Sequence, residues 1–360
     1  MKIAVIGGGI FGVTAAFRLA KNHVVDLFEK NGDILMAASD VNQCRVHRGY
    51  HYPRSDSTVN ELLEANDSFK EEFGESIMYN TDNYYCISKH DSLTSADQYL
   101  EFCKRNCLEF ELSEPDFLEK SSVDLCVKVK ENLFDHRKLK KICWQKLRDN
   151  GVNIFLNTTA TDEIFDRYDF VVICTYAEIG KLLKKFPQFQ REYQFEVCEK
   201  VFVKLPSSFD NNSIIVMDGP FMSVDPVGNT GTFIIGDVIH TVLQRTVGKH
   251  PEVDPKYIPL LDSGIISNPP ISNYKLFIES ASQFIPEMEK AQYVGSSFCI
   301  KTVLPYVDKT DERPTLINEV NEKIVTVFSG KIPTCVEVAK ELEHMTQNLE
   351  KNNLQKIVET

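Results

Sequence analysis

Ile3-Ala4-Val5-Ile6-Gly7-Gly8-Gly9-Ile10-Phe11-Gly12 decides the fold of this chain. An apolar strand runs directly into three glycines, and a helical pattern follows from Val13 to Ala20. Such a strand, turn and helix cradle a dinucleotide. Gly7 permits a tight reversal, Gly9 lets the backbone approach a pyrophosphate, and Gly12 lets the helix pack on the strand. The first N–H groups of the helix then face the phosphates. Working outward, a second strand from His23 to Phe28 ends at Glu29, about twenty residues beyond the turn, where an acid hydrogen-bonds the ribose hydroxyls. The same carboxylate would repel a ribose phosphate, which argues against NADP.

Composition bounds the rest. A chain of 360 residues suggests about two domains and a large core. With 52 acidic and 40 basic residues its formal charge is −12 and no basic cluster stands out, which argues against nucleic acid or an anionic membrane as a main partner. No apolar run approaches the roughly twenty residues of a membrane span, and the opening strand is too short for a signal-peptide core, so a soluble, cytoplasmic protein is expected. The ten cysteines form no C-x-x-C pair and read as reduced thiols. Cys103 and Cys107 lie one helical turn apart without a histidine near them in sequence, and no metal is expected.

Beyond Glu29 a polar and aromatic loop runs from Asn31 to Ser57, followed by an amphipathic helix from about Thr58 to Phe73. Long ordered loops usually carry function. Asn80 to Ser88 alternates as a strand, a helix is predicted from about Leu93 to Arg105, and Asp135 is placed to cap a helix through Asp149. Val152 to Asn157 and Phe170 to Thr175 read as strands, the second apolar throughout, as a parallel strand buried on both faces must be. Short strands from Glu196 to Asp237 suggest an antiparallel sheet. A helix over about Tyr274 to Lys290, a strand Ile324 to Phe328 and a helix from about Thr334 to Leu349 complete the pattern.

Together these residues resemble the FAD-dependent oxidoreductases of the D-amino-acid oxidase and glycine oxidase superfamily, which includes sarcosine oxidases and L-2-hydroxyglutarate dehydrogenase-like proteins. The resemblance rests on Gly7 to Gly12 with Glu29, on Phe170-Val171-Val172-Ile173-Cys174-Thr175, and on Phe328-Ser329-Gly330-Lys331-Ile332-Pro333-Thr334. A further part is Asn42-Gln43-Cys44-Arg45-Val46-His47-Arg48-Gly49-Tyr50-His51-Tyr52-Pro53-Arg54, which is similar to the segment along the isoalloxazine in this superfamily. It implies an α/β fold, a Rossmann-like FAD-binding domain from residues 1–79, 130–188 and 294–360 with an inserted, mostly antiparallel substrate domain from 80–129 and 189–293. It also implies non-covalent FAD held by Gly7, Gly9, Ile10, Phe11, Gly12, Glu29, Lys30, Ser39, Asn42, Gln43, Arg45, Val46, Thr175, Tyr176, Gly330, Lys331, Ile332 and Thr334. A covalent link would need a suitably placed cysteine or histidine, and His47 and Cys335 are the two to consider. The family's tryptophan-glycine-x-arginine-proline run is replaced by Tyr293-Val294-Gly295, Lys301-Thr302-Val303-Leu304-Pro305 and Asp311-Glu312-Arg313-Pro314, so its substrate-carboxylate arginine does not transfer by motif. The lone Trp144 reads as packing.

The chemistry expected is removal of a hydride from a CH–NH or CH–OH carbon of a small polar substrate, with a 2-hydroxy acid or nucleotide sugar as an alternative donor. A non-redox nucleotide-sugar mutase is the third reading, against which no Gly-Gly-Asn segment follows Glu29. His47 and His51 are the candidate bases, because histidine titrates near neutral pH. Tyr50, a further candidate catalytic residue, and Tyr52 could cap the pocket by stacking or a phenol hydrogen bond, with core packing as the alternative. Tyr52, Arg54 and Arg313 are candidate substrate contacts, Arg45, Arg48 and Arg54 candidate anion forks, and Lys301 a carboxylate anchor or an aid to oxygen reduction. Backbone N–H groups at Gly330, Lys331 and Ile332 could form an oxyanion-type cradle. The electron acceptor, oxygen or another, is left open.

Overall fold

The computed structural model describes residues 1–307 and 312–358, so Asp311 of the quoted Asp311–Pro314 stretch lies outside the described residues. The opening strand Lys2–Ile6 sits inside a six-stranded sheet ordered Leu316–Glu319, Ile324–Phe328, Phe170–Ile173, Lys2–Ile6, Val24–Phe28, Asn153–Phe155. All neighbours are parallel except the first pair. Alternate residues of each strand serve opposite faces. Ile3, Val5, Phe170 and Val172 pack under Val13 and Phe17 of helix Ile10–Leu19, Leu139 and Leu147 of His136–Asp149, and Val336 and Leu342 of Cys335–Val358. Ala4, Ile6, Val171 and Ile173 pack against Phe165, Tyr168, Leu183 and Phe195 on the other face. Burial on both faces is why these strands read as unbroken apolar runs.

Caps set the helix starts. Asp135 accepts the N–H groups of Arg137 and Lys138. Ser55 accepts from Thr58, so the helix expected from Thr58 spans Asp56–Phe73, and a reciprocal Ser95–Gln98 box starts the next at Ala96 rather than Leu93. The helix expected over Tyr274–Lys290 ends at Ser282, and a 3₁₀ turn, Pro286–Lys290, follows. Pro286 lacks the N–H that would continue the α-helical ladder.

The second, nine-stranded sheet runs Val242–Gly248, Tyr193–Lys204, Phe233–Asp237, Met222–Pro226, Asn212–Met217, Asp82–Ser88, Val123–Val129, Phe110–Leu112. Its ninth strand, Gln292–Val303, pairs along Tyr193–Lys204. Residues 294–303, expected within the FAD-binding segment 294–360, thus pair in this sheet with a strand of the expected substrate domain. One pair, Asp82–Ser88 with Asn212–Met217, is parallel. A small third sheet of Arg45–Val46, Asn132–Phe134 and Ile77–Met78 fixes the start of the histidine-rich loop.

Candidate active site

The carboxyl ends of the central parallel strands open onto a cavity of about 1050 Å³ whose other wall is the nine-stranded sheet. Gly7, Gly9, Ile10, Phe11 and Glu29 line one end, and His47, His51, Tyr52, Lys200, Lys301, Gly330 and Lys331 are also in its wall.

The glycine turn is built for close approach. Gly7 has φ +109°, and a Cβ there would lie 2.5 Å from the Cys174 carbonyl oxygen. A Cβ on Gly12 would lie 1.8 Å from the Gly7 carbonyl oxygen, so Gly12 serves the helix–strand contact and not the cavity wall. Glu29 is buried, its Oε2 accepting the Gly8 N–H at 2.6 Å and its Oε1 the Asn31 N–H at 2.8 Å. A carboxylate offers about four acceptor sites, so both oxygens retain capacity for ribose hydroxyls. Ser39 Oγ accepts the Ile10 N–H at 3.0 Å, which makes it a brace for the helix start as well as a wall residue. Thr175 faces the cavity with a buried hydroxyl that has no protein partner. This cradle, with its unpartnered hydroxyl, fits FAD.

The loop from Asn42 to Arg54 reaches the cavity, but its residues divide. Asn66 Nδ2 holds the Val46 carbonyl at 3.2 Å, and Tyr99 OH holds the Tyr50 carbonyl at 3.0 Å. Tyr50 is fully buried in an aromatic and aliphatic core, with its hydroxyl donating to the Glu109 carbonyl at 2.6 Å, so it anchors the loop and does not face the cavity as expected. Val46 and Thr334 are likewise buried away from the wall, Thr334 bonding the Lys331 carbonyl. Arg45 borders the cavity, yet its guanidinium is committed to Glu131 at 3.2 Å, Asp225 at 2.5 Å and Ser213. It is not an anion fork. Arg48 lies outside the wall and donates to the Lys130 carbonyl. Arg54 pairs with Asp218 at 2.7 Å, and Lys301 with Glu196 at 3.2 Å. Arg313, Lys30, Asn42, Gln43, Tyr176 and Ile332 are all in the wall, with Gln43 donating to Ser223 and Tyr176 OH to the Thr302 carbonyl.

His47, His51 and Tyr52 form one cluster, with ring centroids 6.0 Å apart for the two histidines and 5.2 Å for His51 and Tyr52. Nδ1 of each histidine and the Tyr52 hydroxyl are buried without a hydrogen-bond partner. Lys331 Nζ sits 4.3 Å from the Tyr52 ring centroid. Among the described residues no carboxylate pairs with Lys331, and burial brings its ammonium down to about 7. Burial and then Lys331 lower His47 against the opposing pull of Glu131, and burial, His47 and Lys331 take His51 further down. Both imidazoles are thereby neutral, with free lone pairs, near pH 7.

Sequence reasoning missed Glu131, Asp225 and Lys200. Lys200 is lowered by burial and, among the described residues, has no ion-pair partner. Among the described residues nine lysines and arginines line the cavity against seven acids, whereas the chain as a whole is acidic. Six of the nine pair with carboxylates, and among the described residues the buried Lys200 and Lys331 have no such partner. Cys335 is buried in the helix core, away from the cavity, and does not serve as a flavin attachment point. Trp144 packs at the edge of that core and donates to Asp33 at 2.9 Å. Among the described residues no group of three or more potential ligands clusters for a metal, and no helix is long and apolar enough to cross a membrane.

The fold and cradle define a flavoprotein of the FAD-binding α/β class. The chain belongs to the DAO family of FAD-dependent oxidoreductases, whose profile matches residues 2–319. The FAD-dependent monooxygenase FPY4 of Fusarium mangiferae is 25% identical over 343 residues, covering 92% of this chain and 88% of that protein. Glycine oxidase from Geobacillus kaustophilus superposes with a TM-score of 0.72 at 14% identity, covering 96% of this chain and 94% of that one. L-proline dehydrogenase from P. horikoshii superposes at 0.68 and 14% identity, covering 94% and 90%. At such identities the two structures bear on the fold alone. The protein is thus an oxidoreductase with FAD as its cofactor.

Replacing Glu29 with Ala is expected to weaken FAD binding and leave the chemistry of the bound fraction intact. The lost charge-assisted hydrogen bonds are each worth about 1.5–3 kcal/mol. Flavin retained on gel filtration at dilute protein is the measurement, and full retention with impaired turnover would contradict the placement of the ribose.

Proposed function

We propose that the protein oxidises the CH–OH carbon of a small carboxylate-bearing substrate, with His47 as the base and Lys331 as the anion partner. The observation that carries this reading is the pair of histidines in the cavity wall, each with a buried Nδ1 that has no hydrogen-bond partner among the described residues. Oxidation of an alcohol requires removal of the hydroxyl proton, whereas a neutral amine carries its own lone pair and makes no such demand. Bound non-covalently, FAD supplies the hydride acceptor, and the protein supplies orientation and electrostatics. His47 takes the hydroxyl proton on Nε2. Lys331, buried and without an acidic partner, holds the carboxylate, while Tyr52 beneath it keeps the ammonium in place. Gly330, Lys331 and Ile332 stand at the turn into the 3₁₀ segment Ile332–Thr334, and their N–H groups are the candidate cradle for negative charge on the flavin ring.

An anaerobic screen of 2-hydroxy acids, other alcohols and amino acids tests the proposal by bleaching of the flavin absorbance. Bleaching by a 2-hydroxy acid with formation of the 2-oxo acid is expected. Bleaching by amino acids alone would transfer the assignment to the CH–NH reading, which the names of the glycine oxidase and proline dehydrogenase neighbours suggest. Oxygen insertion, as the name of the fungal relative implies, would show as a hydroxylated product.

Lys331→Met is expected to raise KM for the carboxylate substrate about 10–10²-fold with a smaller change in kcat, the size of one lost charged hydrogen bond. The pH dependence has a definite sign. The ammonium is present below its value of about 7 and is lost as pH rises through it, so wild-type KM should rise above that point. KM measured across pH should lose this rise in Lys331→Met; an unchanged profile would remove Lys331 from the substrate site.

A further inference from the structure

His47 is a useful base only in one of its two neutral forms. With the proton on Nδ1, the Nε2 lone pair is available to the cavity; with the proton on Nε2, the ring presents a donor and accepts nothing there. Something on the Nδ1 side must make the choice. His47 Nδ1 is buried, has no hydrogen-bond partner, and faces Glu131 Oε1 at 3.6 Å.

The surroundings of Glu131 suit that task. Its side chain is fully buried and already accepts from the Tyr85 hydroxyl at 2.7 Å, the Arg48 N–H at 2.9 Å and the Arg45 guanidinium at 3.2 Å. Two of these fall on Oε1, the oxygen nearest the imidazole, and one on Oε2, so of about four acceptor sites one on Oε2 stays open and an imidazole N–H reaches it or shares Oε1. A buried carboxylate is costly unless compensated. Arg45 supplies that charge, and its other arm is occupied by Asp225 and Ser213, which fixes the guanidinium in turn. Burial alone would raise Glu131; at the acid pH where it titrates, the His47 imidazolium, the Arg45 charge and the Arg48 N–H overcome this and bring the group down to about 2. Glu131 is therefore ionised wherever the enzyme works. The small sheet ties the pieces together, because Arg45 pairs with Leu133, two residues after Glu131.

We infer that Glu131 is a positioning residue that holds His47 in the Nδ1–H form, leaving Nε2 free in the cavity, with Arg45 and Asp225 as the frame that fixes Glu131. The 3.6 Å separation closes to a hydrogen bond when substrate settles against the ring, as catalytic contacts in unliganded sites commonly do. When His47 accepts a proton on Nε2, the adjacent carboxylate balances the imidazolium. The inference rests on His47 as the base only for its effect on rate; the hold on the ring is a separate property.

The test uses the holoenzyme and two readouts. Ring-nitrogen NMR of ¹⁵N-histidine protein, with His47 assigned by its loss in His47→Ala, reports which nitrogen carries the proton. In wild type Nδ1 should be protonated and Nε2 bare. In Glu131→Gln this preference should weaken, and the rate of anaerobic flavin reduction should fall about 10²-fold. The acid limb of that rate should also move to lower pH. The groups facing His47 are Glu131, Arg45, Lys331, His51 and Tyr52, and deleting the one negative charge among them makes the imidazolium harder to form. Glu131→Asp, which keeps the charge on a shorter arm, should recover part of the rate. A bare Nδ1 in wild type would overturn the inference even if no Glu131 variant folds, and so would a Glu131→Gln protein with unchanged tautomer and acid limb. Normal flavin reduction in His47→Ala alongside an Nδ1–H ring in wild type would remove His47 as the base while supporting the hold exerted by Glu131.

Discussion

His47→Ala is expected to retain FAD and to slow flavin reduction by about 10²-fold or more, the size of a lost general base. FAD retention is expected because the substitution leaves the candidate cofactor cradle of Gly7, Gly9 and Glu29 untouched. His51→Ala separates the two histidines. Among the described residues no carboxylate pairs with His51, and burial, His47 and Lys331 push it further from protonation. It is therefore the weaker base, and its loss should slow reduction less. Rapid-mixing absorbance under anaerobic conditions measures both. If the His51 variant showed the larger defect, the roles would be reversed; equal, wild-type rates in both would leave proton removal to another group.

Gly12→Ala is expected to have the largest effect on the folded state. Its Cβ would lie 1.8 Å from the Gly7 carbonyl oxygen and 3.3 Å from Cys174 Cβ, both in the residues directly after the central strands. Overpacking of that kind costs about 1–3 kcal/mol or more, and the helix Ile10–Leu19 must lift from the sheet to relieve it. The protein should come out colourless or unfold at a markedly lower temperature. Gly9→Ala is the informative control. Its Cβ would meet only Ser39 Oγ, at 3.3 Å, so the apoprotein should keep its thermal midpoint while FAD binding weakens. A Gly12→Ala protein as stable and as yellow as wild type would mean that the turn is not packed as described.

The fold was legible because its signals are local. The glycine turn, the apolar strand Phe170–Ile173 and the cap at Asp135 each declare themselves within a few residues, and each forms as expected. The break at Pro286 is equally local, yet the helix expected over Tyr274–Lys290 runs across it. The cavity loop was legible as a unit and not residue by residue. A tyrosine in a polar loop gives no sign of whether its hydroxyl meets a ligand or, as in Tyr50, a main-chain carbonyl 59 positions away. Arg45 looked like an anion fork because its partners, Glu131 and Asp225, lie 86 and 180 positions downstream in strands and turns with no motif of their own. The pairing of the long strand Gln292–Val303 was hidden for the same reason, since its partner Tyr193–Lys204 is about a hundred residues earlier. Lys331 was legible as part of the Ser329-Gly330-Lys331 turn, while its burial without an acid is a property of the assembled cavity.

The most direct test of the proton-removal role is the anaerobic rate of flavin reduction by a 2-hydroxy acid, measured against pH in wild type and His47→Ala. Burial and Lys331 lower His47, so the wild-type rate should hold at neutral pH and fall only below the ordinary imidazole value of about 6.5. His47→Ala should be slow throughout and lack that limb. The same rate and the same limb in both proteins would contradict the assignment of His47 as the base.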